Sequence, residues 1–297
     1  MRCRIWSQYN KELVQRGSIT FFVDEKSLKA IRNFRPKSTG GRPQEFPLVL
    51  IQLLLMVKIQ FSLPFRGLEG FARSIFQMMN KWFKVPTYSL ICKRAKELAL
   101  FLPKLSLRRP KVVLIDASGI KVFGEGEWKR KIHGIGRPRK WLKMHIAIDE
   151  TTQEIVAECL TDCRTADSKM VETLLESTQG KAQVVKADGA YDRKCVRDTI
   201  QSRGGRLLAP PPKNARVNGI YEDRDHAILS IRGLGDDLQA RSLWGKLTGY
   251  STRSLVEAAF SRYKRIFGCR LFSQTFERQL VENRLKWMML NKMRKKA

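Results

Sequence analysis

Lys111-Val-Val-Leu-Ile-Asp116 is the stretch that decides the fold, because it is a short apolar strand that ends in a carboxylate. Its β-branched residues are typical of a strand buried in a sheet. A charged side chain that leaves such a strand is costly unless another group compensates it. We therefore expect Asp116 to lie at the edge of a buried sheet and to have a functional role. The alternative is that Asp116-Ala-Ser-Gly119 forms an ordinary turn.

The residues beyond Asp116 predict a mixed α/β sheet of five strands. The predicted strands cover residues 111–116, 143–149, 154–160, 182–188 and 206–209. Helices are predicted over residues 167–176 and 192–203. The second and third strands form a hairpin, and the order β-β-β-α-β-α-β places residues 108–297, with their C-terminal helices, in the α/β class.

A second aspartate, Asp188, repeats the pattern of Asp116 at the end of the strand Ala182-Gln-Val-Val-Lys-Ala-Asp188. Strand-end carboxylates of an open α/β sheet lie where ligands and metals usually gather. Asp188-Gly189 is also a common turn dipeptide, so a structural role stays open. The remaining acids of this region are interpreted as structural: Asp149 and Glu150 in a hairpin turn, Asp167 and Asp192 as helix N-caps.

A third acidic candidate, Glu257, lies on a helix predicted over residues 251–267. With about 100° per residue, one face of this helix carries Tyr250, Arg253, Glu257 and Lys264. This Y-R-E-K stripe would be roughly 20 Å long. The alternative is a capping box, Ser254-Leu-Val-Glu257, in which the helix begins at Ser254 and leaves Tyr250 and Arg253 off that face.

The three carboxylates of Asp116, Asp188 and Glu257, without histidine or cysteine, favour a hard cation, Mg²⁺ or Mn²⁺. Two such ions about 4 Å apart stabilise the attacking and leaving oxygens of an in-line phosphoryl displacement. The residues alone therefore predict a metal-dependent phosphoryl-transfer site.

The charge of the chain indicates a polyanionic partner. Its 297 residues include 57 Lys and Arg but only 28 Asp and Glu, a formal net charge of +29. Nucleic acid is the leading partner and an anionic membrane surface the competitor. The longest apolar stretch, residues 47–57, is shorter than the roughly 20 residues that span a bilayer. Six cysteines without a CxxC pair indicate reduced thiols and a cytoplasmic location.

Two basic segments are candidates for contact with nucleic acid. Residues 1–107 are predicted to be helical, and short helices with basic residues such as Lys93, Arg94 and Lys96 are typical of a helix-turn-helix-like DNA reader. The alternative is a helical bundle with a solvated basic face. In Trp128-Lys-Arg-Lys131, the indole could stack on a base while Lys129, Arg130 and Lys131 hold phosphates. Its alternative is a solvated turn whose tryptophan packs on the sheet.

The chain resembles the DDE transposases of bacterial insertion sequences, of the IS5 group and its relatives. The resemblance is carried by Gly41-Arg-Pro43, Leu63-Pro-Phe-Arg-Gly-Leu-Glu-Gly70, residues 116–128 and Lys186-Ala-Asp-Gly-Ala-Tyr191. Its most specific part is Tyr250-x2-Arg253-x3-Glu257-x6-Lys264. The resemblance implies an RNase H-like core, and it favours the stripe over the capping box.

By this resemblance, Asp116, Asp188 and Glu257 form the catalytic triad that binds two Mg²⁺ or Mn²⁺ ions. Tyr250, Arg253 and Lys264 contact the transposon end. The implied enzyme frees a 3′-OH at each terminal inverted repeat and joins it to target DNA, as a homodimer on double-stranded DNA. Two alternatives stay open, an inactive copy that acts as a DNA-binding repressor and an RNase H-like nuclease without strand transfer. The 68 residues between Asp188 and Glu257 leave room only for a modest connection at 213–249.

Overall fold

A computed structural model of the chain describes residues 5–15, 17, 25–36, 44–78, 84–122 and 141–295. It divides into two compact units, residues 104–271 and residues 1–103 together with 272–297. The first division lies close to the predicted boundary at 107/108. The last helix, Phe276–Lys295, is placed differently from the prediction, because it belongs with the N-terminal helices. It packs on two of them and buries Leu285 and Trp287 completely.

The first unit is helical, as predicted. Its helices are α1 (Trp6–Gln15), α2 (Glu25–Arg32), α3 (Leu48–Gln60), α4 (Phe65–Met78), α5 (Tyr88–Ala95), α6 (Leu98–Phe101) and α12 (Phe276–Lys295). Leu63-Pro64 separates α3 from α4, as the sequence predicts. The helix predicted over residues 89–100 is divided into α5 and α6. Its Arg94 is buried and donates to the Phe46 carbonyl and to Gln44, so it does not belong to a solvated basic face.

No single helix of the described residues is long and apolar enough to cross a membrane. Taken together, α3 and α4 reach the required length and composition, but they are bent by 108° with respect to each other.

The second unit contains a six-stranded sheet and five helices among its described residues. The elements are β1 (Val112–Val122), β2 (Trp141–Asp149), β3 (Ile155–Asp162), α7 (Val171–Ser177), β4 (Val184–Lys186), α8 (Lys194–Ser202), β5 (Arg206–Leu208), α9 (Glu222–Gly233), α10 (Leu238–Leu247), α11 (Ser254–Phe267) and β6 (Arg270–Leu271).

The sheet confirms the predicted RNase H-like arrangement. Its strand order is β3-β2-β1-β4-β5, in which β2 is antiparallel to β1 and β3, while β4 is parallel to β1 and β5. The two-residue strand β6 pairs in parallel with the end of β1 and was not predicted. Apolar residues of the sheet and of α7 and α8 form the core, for example Val113, Ile115, Leu174 and Ile200.

Two predictions about this unit are wrong. Strand β1 continues to Val122, so Asp116 lies inside the strand rather than at its end, and the alternative of a turn at Asp116-Ala-Ser-Gly119 is excluded. Residues 213–249 are more than a modest connection, because they form α9 and α10. These helices enclose a small core of Ala227, Ile231 and Trp244, which their polar and glycine-containing sequence conceals.

Candidate active site

The two aspartates are aligned by the parallel pairing of β1 with β4. The last paired residues of this ladder are Leu114 and Lys186. Asp116 and Asp188 each lie two residues further along, and side chains two residues apart in a strand point to the same face. The register of the central strands therefore places both carboxylates at the carboxyl edge of β4, as the sequence predicts.

Strand β1 has an open side in front of Asp116. Strand β4 pairs with β1 only as far as Leu114, and β6 pairs with it again from Lys121. Residues 115–120 have no strand partner on this side among the described residues. Helix α11 contacts β1 instead, and the Lys264 Nζ donates to the Ser118 Oγ at 2.7 Å. The site therefore forms where α11, rather than a neighbouring strand, packs beside β1.

Arg253 connects the sheet to the start of α11. Its Nη1 donates to the Asp116 Oδ2 at 3.1 Å, and its Nη2 donates to the Glu257 carboxylate. The side chains of Asp116 and Arg253 are 17% and 19% exposed, whereas that of Glu257 is 58% exposed. One guanidinium thus holds together a half-buried carboxylate of the sheet and an exposed carboxylate of the helix.

Asp188 and Glu257 lie near enough to Asp116 to affect its ionisation. Burial raises the pKa of the Asp116 carboxyl, and the negative charges of Asp188 and Glu257 raise it further. The Ala117 N–H, which donates to Asp116, and the nearby Arg253 lower this pKa and oppose the rise. Like charges that influence one another's ionisation favour a bound cation, and Arg253 supplies one from the chain itself.

The donor chemistry of this site fits a hard divalent cation, since it contains carboxylates only. In the described part of the chain, however, no three histidine, cysteine, aspartate or glutamate side chains are close enough together to hold one ion. The Arg253 guanidinium lies between Asp116 and Glu257 instead. The carboxylates therefore fit Mg²⁺ or Mn²⁺ by their donor chemistry, while Arg253 supplies the positive charge between two of them.

The start of α11 follows neither sequence interpretation. Tyr250–Arg253 is a separate 3₁₀ turn and α11 begins at Ser254, so the predicted continuous α-helical stripe is wrong in its first turn. The capping box is also not formed, because the Ser254 hydroxyl donates to the Ser251 carbonyl at 3.0 Å. Arg253, Glu257 and Lys264 nevertheless lie on the side of Asp116.

Tyr250 is the residue of the Y-R-E-K pattern that is turned toward the protein. Its ring packs on Trp244 of α10 with a centroid distance of 5.4 Å. Burial raises the pKa of the Tyr250 hydroxyl to about 12, and the nearby Asp188 contributes to the rise. The hydroxyl therefore stays protonated at neutral pH and can act as a hydrogen-bond donor.

The acids interpreted as structural have structural contacts, although not always the predicted ones. Asp149 accepts from Thr151 and Thr152 in the hairpin turn, as expected. Asp192 is not an N-cap, since its buried side chain pairs with Arg197 and Arg224. Asp167 is not one either, and its carboxylate pairs with Lys143.

Two further outcomes concern residues that the prediction misplaced or left out. Glu150 lies in the predicted hairpin turn, yet it also forms a partly buried ion pair with Lys186, for which the sequence predicts no role. The signal for Lys186 is a cation inside an otherwise apolar strand. Trp128, Lys129, Arg130 and Lys131 lie outside the described residues, as does Gly41-Arg-Pro43.

Family models of transposases match nearly the whole chain. Two models described as "Transposase DDE domain" match residues 14–125 and 107–292. The second covers more than half of the chain and includes Asp116, Asp188 and Glu257. The chain belongs to the DDE transposase family. Enzymes of this family carry out metal-dependent phosphoryl transfer on DNA.

Solved transposase structures are distant from this DDE transposase. The piggyBac transposase synaptic complex with hairpin DNA aligns with a TM-score of 0.45 and 12% identity, over 95% of this chain and 73% of that one. A Mos1 mariner paired-end complex with Mn aligns with a TM-score of 0.24 and 12% identity, over 84% and 88%. The family assignment rests on the sequence models and not on these similarities.

Proposed function

We propose that this DDE transposase belongs to the IS5 group of insertion-sequence transposases, binds the terminal inverted repeats of its element and moves the element into target DNA. The observation that carries the proposal is the alignment of Asp116 and Asp188 at one sheet edge, facing a helix start that presents Arg253 and Glu257. A homodimer on DNA belongs to the proposal, since two ends must be joined together. A cytoplasmic location belongs to it as well, because the six cysteines contain no CxxC pair.

Asp116, Asp188 and Glu257 are the residues that would hold two Mg²⁺ or Mn²⁺ ions. When bound, such ions stabilise the negative charge on the attacking and leaving oxygens of an in-line phosphoryl displacement. Asp116 is suited to this role because burial and neighbouring carboxylates already disfavour its charge in the absence of an added cation.

The reaction needs two displacements at phosphorus. In the first, the oxygen of a water molecule attacks the phosphorus at the element's end, and the bond to the 3′ oxygen breaks to leave a 3′-OH and a 5′-phosphate. In the second, this 3′-OH attacks a phosphate of target DNA, which forms a new phosphodiester and releases a target 3′-OH. No protein nucleophile is required in either step.

The basic residues beside the triad are assigned to the DNA. Lys264 lies near Ser118 and Arg253 near Asp116, so both present a cation beside the carboxylates. Cations placed there neutralise phosphates that approach the acidic site. The Tyr250 hydroxyl donates to the transposon end, and the basic sequence Trp128, Lys129, Arg130 and Lys131 contacts DNA as well.

The test is alanine substitution of Asp116, Asp188 and Glu257, one at a time. We expect each variant to lose cleavage and strand transfer while binding the inverted repeats as the wild type does. The Glu176→Ala variant is a matched control, because it removes an exposed carboxylate whose ion pair with Arg203 lies on the surface. It should retain full activity.

Each other outcome has a distinct meaning. Full strand transfer by Glu257→Ala in Mg²⁺ would contradict the triad. Specific binding by the wild type without any strand transfer in Mg²⁺ or Mn²⁺ would identify a repressor. Nicked ends without joined target would identify a nuclease.

A further inference from the structure

Lys186 is a buried cation directly behind the candidate site. It is the last residue of β4, two positions before Asp188, and its side chain is 8% exposed. Its Nζ donates to the Glu150 Oε1 at 2.7 Å, the Gly249 carbonyl at 2.6 Å and the Thr252 Oγ1 at 3.0 Å. An ammonium group has three donors, so all of them are used.

The partners of Lys186 come from two distant parts of the second unit. Glu150 follows β2 in the hairpin turn. Gly249 directly precedes the 3₁₀ turn before α11, and Thr252 lies within that turn. The Thr252 hydroxyl also hydrogen-bonds to Glu150, which closes a ring of side chains. Gly249 adopts a left-handed conformation with φ of 68°, which favours glycine and directs its carbonyl to Lys186. The ring thus joins the central sheet to the turn that bears Arg253.

A buried ion pair of this kind is a weak source of stability, because desolvation of both charges offsets their attraction. An apolar residue at position 186 would continue the run of Val184 and Val185 at lower cost. The arrangement of the contacts offers a better reason for the lysine. Thr252 is adjacent to Arg253, and Glu257 follows five residues later in the first turn of α11.

We propose that Lys186 is a positioning residue, which holds the Gly249–Arg253 turn against β4 so that Arg253 and Glu257 face Asp116 and Asp188. This inference rests on the proposed function, since it assigns Lys186 to the geometry of the metal-binding carboxylates. Lys186 itself touches none of the reacting groups. It fixes where α11 begins relative to Asp188, because its ammonium group bonds to Glu150 after β2 and to Gly249 and Thr252 at the turn before α11.

The test compares Lys186→Met with Lys286→Met in the full-length protein. Lys286 is the matched control, because it is also buried and pairs with Glu282 at 2.8 Å, but it belongs to the first unit. The first readout is Mn²⁺ binding, followed by the electron paramagnetic resonance of free Mn²⁺ with no DNA present. The second is amide hydrogen exchange of residues 249–257 in the metal-free protein.

We expect Lys186→Met to weaken Mn²⁺ binding by about tenfold, because the released turn no longer holds Glu257 toward the two aspartates; this is the lower end of the range seen when a group that orients a metal ligand is lost. Exchange at residues 249–257 should become faster, while exchange in β2 stays slow. Lys286→Met should leave both readouts unchanged even if it lowers the melting temperature. Glu150→Gln is a milder variant in case Lys186→Met fails to fold, and it should change both readouts in the same direction.

The outcomes separate this inference from the proposed function. A wild-type protein without an Mn²⁺ site sensitive to Asp188→Asn would contradict the proposed function, and the inference with it. The inference alone would be overturned if the wild type has such a site but the variants do not differ from it. In that case Lys186→Met or Glu150→Gln would match the wild type in Mn²⁺ affinity and in hydrogen exchange at residues 249–257.

Discussion

The sheet and the helix contribute to the candidate site in different ways. Asp116 and Asp188 are placed by main-chain pairing, and Val113, Leu114 and Ile115 beside them are completely buried. Glu257 lies on α11, which packs on β1, and its exposed side chain is oriented by the ion pair with Arg253. The sheet therefore supplies a fixed pair of carboxylates, and the helix supplies an adjustable third one.

This difference determines how the repulsion among the carboxylates is relieved. Fixed carboxylates cannot separate to relieve their repulsion, so a counter-charge must come to them. Arg253 lies on the adjustable side and bridges to Asp116. The fixed half sets the geometry, and we expect the adjustable half to exchange Arg253 for an added cation.

The largest expected effect comes from changing carboxylate length in each half. We expect Asp116→Glu to reduce strand transfer by about 10²–10³-fold, because a displacement of about 1 Å in a fixed site costs about 10²-fold. Glu257→Asp should cost only about tenfold, since the start of α11 and the exposed Glu257 side chain can compensate for the missing methylene. Single-turnover strand transfer at saturating Mg²⁺ measures both.

The distinction between the sheet side and the helix side of the site depends on which variant, Asp116→Glu or Glu257→Asp, loses more strand transfer. Binding of the inverted repeats is the control, and it should match the wild type in both variants. A Glu257→Asp variant that is more impaired than Asp116→Glu would show that the helix side is the more rigid one.

The same difference determines what the sequence could predict. The β-branched run before Asp116 and the run before Asp188 encode buried strands locally, so the strands of the sheet and the two aspartates follow from the pattern. The 3₁₀ turn before α11 is held by Lys186, which is 63 residues from Gly249 and 66 from Thr252 in sequence. No local spacing contains that information, and the interpretation of the first helical turn was therefore wrong.

A second expected effect concerns the stability of the sheet. His145 lies in β2 opposite Ala117, is completely buried, and donates to or accepts from the Thr161 hydroxyl. Burial lowers the pKa of His145 from 6.5 to about 4, against the opposing charge of Asp167. Between these values the unfolded chain binds a proton that the folded chain excludes, so stability present at neutral pH is lost as the pH falls.

The loss should reach about 3 kcal/mol by pH 4, from roughly 1.4 kcal/mol for each unit of pKa shift. Urea unfolding between pH 7 and pH 4 measures it. His145→Gln should remove this part of the pH dependence, whereas His226→Gln, at an exposed position of α9, should retain it. Parallel pH profiles for the wild type and His145→Gln would show that the buried imidazole is not responsible.

The smallest expected effect tests the exchange of cations directly. Arg253→Gln removes the guanidinium that bridges Asp116 and Glu257 and so removes the competitor for an added ion. Mn²⁺ affinity of the free protein should rise by about tenfold, because displacing one charge-assisted hydrogen bond costs roughly 1.5 kcal/mol. Lys264→Gln is the control, since Lys264 bonds to the Ser118 hydroxyl and not to a carboxylate, and its effect on Mn²⁺ affinity should be smaller.

Strand transfer by Arg253→Gln should fall at the same time, because the proposed contact with the transposon end is lost. Tighter Mn²⁺ binding together with weaker strand transfer would separate the two roles of Arg253, whereas unchanged Mn²⁺ affinity would mean that Arg253 does not stand in for the ion.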